Sequence, residues 1–137
     1  MGKVWTFTFI AVGLMILLGA AGIATTTGYV LGQLGLTSPD GLANIQNTAF
    51  YTYMIYVLGA IAVTTVIIGI FSKGSPLDSL SSGIATIILV LFIGDVVSIV
   101  NYASLQAVWA GWVVFLLLTP FVIGYIFALW EWVRGRD

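Results

Sequence analysis

Hydrophobic and polar positions divide this chain into four long apolar stretches separated by shorter polar segments. The stretches cover residues 4–24, 49–71, 84–102 and 107–132. Each is close to the roughly 20 residues that an α-helix needs to cross a bilayer. We therefore predict an all-α polytopic membrane protein with a single four-helix transmembrane domain over residues 1–137. The four spans form two helical hairpins, which are joined by the linker 72–82.

The basic residues follow one rule along these spans. Lys3 precedes the first stretch, Lys73 follows the second, and Arg134 and Arg136 follow the fourth. The loops between spans one and two and between spans three and four contain no Lys or Arg. Cytoplasmic loops of membrane proteins carry an excess of these residues. The pattern predicts both termini on the same inner, cytoplasmic side.

Composition supports a membrane protein and excludes several other classes. Hydrophobic residues make up 61% of the chain and charged residues 7%, which no soluble domain of this length matches. Four Lys and Arg with a net charge of −1 cannot provide the basic surface that nucleic acid requires. The chain has no Cys and no His, so it lacks disulfides, a thiolate nucleophile and the usual metal and haem ligands. We predict a lipid bilayer as its surroundings, no nucleic-acid partner, no metal site and no cofactor.

Turn signals mark several helix starts. A Ser, a Pro and an acid suit the N-cap and first turn of a helix, and they occur together in Ser38-Pro39-Asp40 and Ser75-Pro76-Leu77-Asp78. Ser104 is a candidate N-cap for span four. The outer loop 25–48 is apolar and rich in glycine, which opposes a stable helix. Two readings stay open for it: packing in the interface or against another subunit, and a flexible surface loop.

Aromatic and small residues predict how the spans are held. Tryptophan rings prefer headgroup depth, and the chain places them at the inner interface (Trp5, Trp130, Trp132) and at the outer one (Trp109, Trp112). Small residues let helices approach closely in lipid. The candidates for such packing lie in spans one and two: Gly13, Gly19, Gly22, Gly59 and Gly69. We expect these faces to be buried, within the monomer or between copies.

Asp95 is the ionisable residue deep inside a span, about 16 Å from the inner end of span three by the helical rise per residue. Such an acid is costly when charged and points to a function by default. Ser98 extends a polar stripe from it, and Thr119 and Pro120 of span four lie at the same depth. Pro120 leaves the Leu116 carbonyl without its helical donor.

Two readings of Asp95 compete. In the first, the carboxyl is neutral and joins spans three and four, or two subunits, by a hydrogen bond to Thr119 or to the Leu116 carbonyl. In the second, it is a proton or cation site in a conducting pathway. A relay usually needs several titratable groups, and none accompanies Asp95 inside the spans, so the first reading is favoured. Enzymatic activity is not predicted, because the other acids are scattered at helix ends and no nucleophile has a base beside it.

A family resemblance covers residues 1–74. It rests on span one, an outer loop bearing Thr, Ser and Asn, and the aromatic-led span Phe50-Tyr51-Thr52-Tyr53-Met54-Ile55-Tyr56-Val57-Leu58, which closes on Ser72-Lys73-Gly74. This pattern resembles the hydrophobic helical hairpin of capsid proteins from archaeal spindle-shaped viruses. The resemblance implies hairpins that assemble side by side into a lipid-containing shell. The second hairpin, with Asp95 and Pro120, departs from that pattern.

Taken together, these features predict a non-enzymatic integral membrane protein, in a cell membrane or a membrane-containing virion. It would be a structural or accessory subunit that self-associates or packs with membrane protein partners. The alternative is a small homo-oligomeric proton or cation channel or transporter that uses Asp95.

Overall fold

The computed structural model describes residues 2–34, 48–71 and 75–134, and the regular structure within these ranges is entirely helical. The helices, in chain order, are α1 (Gly2–Ala20), α2 (Thr26–Gln33), α3 (Thr48–Phe71), α4 (Pro76–Gln106) and α5 (Val108–Val133). By length and composition, α1, α3, α4 and α5 could each cross a membrane. The predicted all-α class and the four long apolar helices are therefore confirmed.

Helix α4 extends well beyond its predicted bounds of 84–102. It covers 31 residues and begins with a capping box at Ser75 and Asp78. Ser75 Oγ accepts a hydrogen bond from the Asp78 backbone N–H at 3.2 Å, and the Asp78 carboxylate accepts one from the Ser75 N–H at 3.1 Å. Pro76 occupies the first helical position, where its missing N–H costs nothing. This helix start was predicted correctly, whereas the similar motif at Ser38 lies outside the described residues, as do Lys73 and Arg136.

The prediction that Ser104 caps the last span is wrong. Ser104 lies inside α4, and its hydroxyl donates to the Val100 carbonyl at 2.7 Å. The N-cap of α5 is Ala107, which has an extended backbone and no side-chain cap. A serine whose hydroxyl bonds back to its own helix does not end that helix. The tight turn between α4 and α5 is thus a single non-helical residue.

Helix α4 is the centre of the fold, because it contacts each of the other four helices. The core lies between α1, α4 and α5 and contains Val4, Ala11, Met15, Ala85, Leu89, Phe92, Val96, Tyr125, Ala128 and Trp132. Helix α3 packs mainly on α4 and shares no extensive contact with α1. The first of the two predicted hairpins is therefore not a packed unit, since α4 lies between its two spans.

The beginning of α1 and the end of α5 meet at one end of this bundle. Lys3 Nζ lies 3.1 Å from a carboxylate oxygen of Glu131, and both side chains are exposed. The Trp5 and Trp132 rings lie 6.3 Å apart between centroids. The beginning of α1 and the end of α5 are therefore neighbours, and the two helices run antiparallel.

The glycines that permit close helix contact differ from the predicted ones. A Cβ added at Gly13, Gly19, Gly22 or Gly59 would meet nothing within 4 Å, whereas one at Gly69 would lie 3.6 Å from Ser79 Oγ. Most of the predicted set is therefore not buried within the monomer, and burial between copies stays a prediction. The close approaches occur instead at Gly83 against Thr65, Gly94 against Thr26, Gly111 against Ser104 and Gly124 against Phe7. The predicted packing glycines were taken from spans one and two, whereas these four lie in α4 and α5.

Candidate functional site

Asp95 is the fully buried acid of the described chain, and its partner lies in the outer loop. The residue has 0% of its surface exposed. Its Oδ1 atom accepts a hydrogen bond from the Thr27 backbone N–H at 2.8 Å. Thr27 is the second residue of α2. The carboxyl therefore joins α4 to the N-terminus of a short helix that the sequence did not predict.

Helix α2 forms in spite of its glycines because its first turn is well capped. Thr25 is the N-cap, and its hydroxyl oxygen accepts the Gly28 N–H at 3.0 Å. The Thr25 carbonyl accepts the Tyr29 N–H at 2.9 Å. Asp95 satisfies a further N–H of the same turn, as an acid does at the positive end of a helix dipole. A Thr at the N-cap position was the available signal for this helix.

Gly94 creates the space into which α2 docks. A Cβ added there would lie 2.7 Å from Thr26 Oγ1 and 3.0 Å from Thr26 Cβ. Any side chain at this position would push the start of α2 away from α4. Gly94 and Asp95 together therefore form the docking point, one by its small size and the other by its hydrogen bond.

The start of α2 lies beside the middle of α4, because Thr26 lies against Gly94. Between α1 and α2 the chain passes through Gly22, whose φ of 73° is the left-handed conformation that glycine tolerates best. Helix α2 then packs mainly on α4.

Two oxygen atoms at this docking point have no hydrogen-bond partner within the described ranges. They are Asp95 Oδ2 and Thr27 Oγ1, and both are buried. Buried polar atoms are almost always hydrogen-bonded in proteins, so each such exception calls for an explanation. The site thus combines a helix N-terminus, a buried carboxyl and a hydroxyl, and two of its oxygen atoms have no partner among the described residues.

The predicted link from Asp95 to span four does not form. Thr119 donates its hydroxyl to the Phe115 carbonyl of its own helix at 2.6 Å. It borders an open cleft of about 350 Å³ together with Ile93 and Val97 of α4. Asp95 lies two residues from each of these, about 200° around the helix and hence on the other face. The prediction of Thr119 as its partner is therefore wrong.

The other residues of the predicted polar site are also separate from the Asp95 carboxyl. Ser98 donates to the Gly94 carbonyl at 2.9 Å, within α4. Pro120 lies inside α5 and is exposed. The Asp95 carboxyl thus has no described hydrogen bond to Ser98 or to α5, and its bond is to α2.

A second polar contact, absent from the sequence analysis, crosses the core. The buried Tyr125 hydroxyl of α5 donates to the Ala85 carbonyl of α4 at 2.9 Å. It also lies 2.8 Å from the Thr8 hydroxyl of α1. Thr8 in turn bonds to the Val4 carbonyl at 2.8 Å. The Tyr125 hydroxyl thus joins all three core helices. The presence of Tyr125 inside the apolar stretch 107–132 could have predicted this contact, because a buried tyrosine hydroxyl needs a partner.

The predicted tryptophan anchors divide into two groups. Trp109, Trp112 and Trp130 are more than half exposed, and the Trp130 ring lies 4.2 Å from the Arg134 guanidinium carbon. Their role as interface anchors stays a prediction. Trp132 is 9% exposed and belongs to the core, where its ring packs near Trp5. Trp132 therefore packs between helices.

Comparison of the chain with protein-family models, with curated proteins and with solved structures gave no match. The candidate site therefore stands on its own geometry. Among the described residues, no group of three or more acidic side chains is placed to hold a metal ion. Asp78 is engaged in its capping box and Glu131 in the ion pair with Lys3. What the site shows chemically is one buried carboxyl that holds the first turn of α2 against α4.

Proposed function

We propose that this protein is a non-enzymatic integral membrane subunit that packs with copies of itself or with other membrane proteins. Four long apolar helices, which pack around a small core, support the membrane location. The described acids have structural partners, since Asp78 caps α4, Glu131 pairs with Lys3, and Asp95 bonds to α2. The membrane in question is a cell membrane or the lipid-containing shell of a virion. The second possibility follows from the resemblance of residues 1–74 to spindle-shaped virus capsid proteins.

The observation that carries this proposal is the exposure of α3. Over Tyr51–Phe71, none of its residues is buried inside the monomer. It packs on α4, where Thr65 lies against Gly83 and Gly69 lies near Ser79. Its exposed side chains are mainly large hydrophobic ones, and Gly59 lies open among them. An open glycine on such a face permits close contact with a helix of another chain, which gains packing energy.

The proposed orientation places both termini on the cytoplasmic side. Lys3 and Arg134 flank the end of the bundle where α1 begins and α5 ends. The end of α3 meets the start of α4, because Gly69 lies near Ser79, and Lys73 lies between these two helices in the sequence. This distribution follows the positive-inside bias. Asp95 then lies near the middle of the bilayer, and α2 enters from the outer side.

In a virion shell, the side-by-side packing of α1 and α3 would occur between neighbouring copies. The two helices are kept apart by α4 within one monomer. Both expose apolar side chains, including Phe9 and Leu17 on α1 and Ile55 and Val66 on α3. In an assembly, α1 of one copy would pack against α3 of its neighbour. The side-by-side packing that the resemblance implies would then form between copies.

Mass measurement of the purified chain in mild detergent tests the proposal. We expect a discrete oligomer, and we expect Gly59→Leu to reduce its size, because the new side chain occupies an open α3 face without a clash inside the monomer. Phe127→Leu on the exposed face of α5 is the matched control and leaves the mass unchanged. A monomer in both mild detergent and native membranes would contradict self-association.

Ion flux in liposomes separates this proposal from its alternative. We expect no proton or cation flux above that of empty liposomes, for the native chain and for Asp95→Asn. Flux through the native chain that disappears in Asp95→Asn would contradict this proposal. It would mean that Asp95 belongs to a conducting pathway.

A further inference from the structure

An apolar cleft lies on the outward surface of the hairpin formed by α4 and α5. Its volume is about 350 Å³, and the residues that line it all belong to these two helices. Three of them, Ile93, Val97 and Phe115, keep 36%, 54% and 44% of their surface exposed. The cleft therefore opens away from the bundle. In the bilayer that the proposed function requires, this opening faces lipid.

The length of the cleft matches one leaflet of that bilayer. The cleft follows α4 from Asn101 to Ile93, which is about 12 Å at the helical rise per residue. One leaflet contributes half of the roughly 30 Å hydrocarbon core. Phe115 lines the cleft, and its ring packs edge-on against Trp112, a predicted outer anchor, with 6.3 Å between centroids. In the proposed orientation the cleft therefore runs inward from the outer interface.

The walls of the cleft are stiff. Its β-branched lining residues are Ile93, Val96, Val97, Val100, Thr119 and Val122. Branching at Cβ restricts χ1 in a helix, so these side chains cannot readily turn inward and close the cleft. The Thr119 hydroxyl is already satisfied, because it donates to the Phe115 carbonyl at 2.6 Å. The cleft is thus a preformed apolar surface with an exposed amide, Asn101, at its outer end.

The size and lining of the cleft indicate what fills it. The bilayer core holds no water, and an empty cleft would lose dispersion contacts along its walls. A helix of 10–12 Å diameter occupies roughly 900–1,400 Å³ over about 12 Å of its length, which is more than twice the volume of the cleft. Close helix contacts in lipid also use Gly and Ala, and no lining residue is either of these. An acyl chain is thinner than a helix and matches the apolar lining.

We propose that this cleft binds one acyl chain of an outer-leaflet phospholipid. The chain lies along Val97 and Phe115, and its inner part reaches Ile93 and Val122. The Asn101 amide donates a hydrogen bond to the ester carbonyl at the outer end of the chain, so this lipid exchanges more slowly than its neighbours. The inference rests on the membrane location in the proposed function and does not depend on self-association.

Photolabelling in phosphatidylcholine vesicles tests this inference. The vesicles contain a small fraction of phosphatidylcholine that carries a diazirine midway along one acyl chain, and peptide mass spectrometry locates the label. We expect the label to concentrate on Phe115 and Val122. Val97→Trp places an indole in the cleft, so this labelling is lost. Val90→Trp is the matched control, because Val90 also lies on α4, is 62% exposed and does not line the cleft, and it leaves the labelling unchanged.

A second variant tests the amide. Asn101→Leu keeps the apolar lining but removes the hydrogen bond to the ester. We expect it to lower the labelling of Phe115 about 2- to 12-fold, as the loss of one hydrogen bond predicts.

Three results would overturn the inference. One is label spread evenly over the exposed faces of α3 and α5. Another is labelling of Phe115 that both Val97→Trp and Asn101→Leu leave unchanged. The third is an unlabelled cleft together with a smaller oligomer for Val97→Trp, because a second copy of the chain would then occupy the cleft.

The two proposals fail separately. An oligomer that inserts into the vesicles without label in the cleft contradicts only the lipid site. A monomer with a labelled cleft contradicts only self-association. A chain that does not insert into vesicles contradicts the membrane location itself.

Discussion

Removal of the Tyr125 hydroxyl is the most direct probe of the core. In Tyr125→Phe the ring stays in place, while the bonds to the Ala85 carbonyl and to the Thr8 hydroxyl are lost. Neither partner is orphaned, because Thr8 keeps its bond to Val4 and the Ala85 carbonyl keeps its position within α4. Tyr125 and Thr8 have one hydroxyl hydrogen each, so these three contacts hold two hydrogen bonds. Tyr125→Phe leaves the bond from Thr8 to Val4, so the cost is that of one hydrogen bond, about 0.5–1.5 kcal/mol. Measurements in membrane proteins favour the lower part of this range.

Reversible unfolding in mixed micelles with increasing SDS, followed by circular dichroism, measures this cost. We expect Tyr125→Phe to lower the equilibrium constant for folding about 2- to 12-fold. Tyr56→Phe, on a side chain that is 67% exposed, is the matched control and leaves the transition unchanged. A double-mutant cycle with Thr8→Val isolates the bond between the two hydroxyls. A Tyr125→Phe transition that coincides with that of the native chain would refute the assigned role.

Further predictions concern helix contacts and caps. In Gly83→Ala the new Cβ meets Thr65 Oγ1 at 2.6 Å, so we expect α3 to be displaced. The free energy of unfolding measured in SDS should fall by about 1–3 kcal/mol. Gly59→Ala meets nothing and leaves stability unchanged or slightly raised; equal effects of the two changes would contradict the contact. Ser75→Ala removes the cap of α4 and costs about 0.5–2 kcal/mol in the same assay, whereas Ser104→Ala costs less. A larger loss for Ser104→Ala would mean that the helix boundary is misplaced.

Hydrophobicity predicted the long helices well because a stretch of 20 apolar residues has few alternatives to a membrane helix. The capping box at Ser75 was equally readable, since the cap, the proline and the acid all act within one turn. Helix α2 was missed because glycine content argued against it. Its stability comes from the Thr25 cap and from Asp95, which is 68 positions away in sequence from Thr27. Such a contact leaves no periodic signal.

The partner of Asp95 could not be found from depth alone. Counting residues correctly placed Thr119 at a similar level, but depth does not specify which face of α4 a residue occupies. The face is decided by the way α4 packs, with Ile93 and Val97 toward Thr119 and Asp95 toward α2. The packing glycines could not be found from the sequence for the same reason. Gly83 and Gly94 permit close contact with Thr65 and Thr26, which lie on other helices.

The proposed function requires a bilayer that surrounds the four long helices, with Lys3 and Arg134 on the same side of it. The chain has no cysteine, so single-cysteine variants report on one position each. In sealed vesicles of known orientation, a membrane-impermeant maleimide should react with Lys3→Cys and Arg134→Cys from the same side. It should react with Gln106→Cys, at the C-terminal end of α4, from the opposite side. Reaction of Lys3→Cys and Arg134→Cys from opposite sides, or a monodisperse protein without any detergent or lipid, would contradict the account.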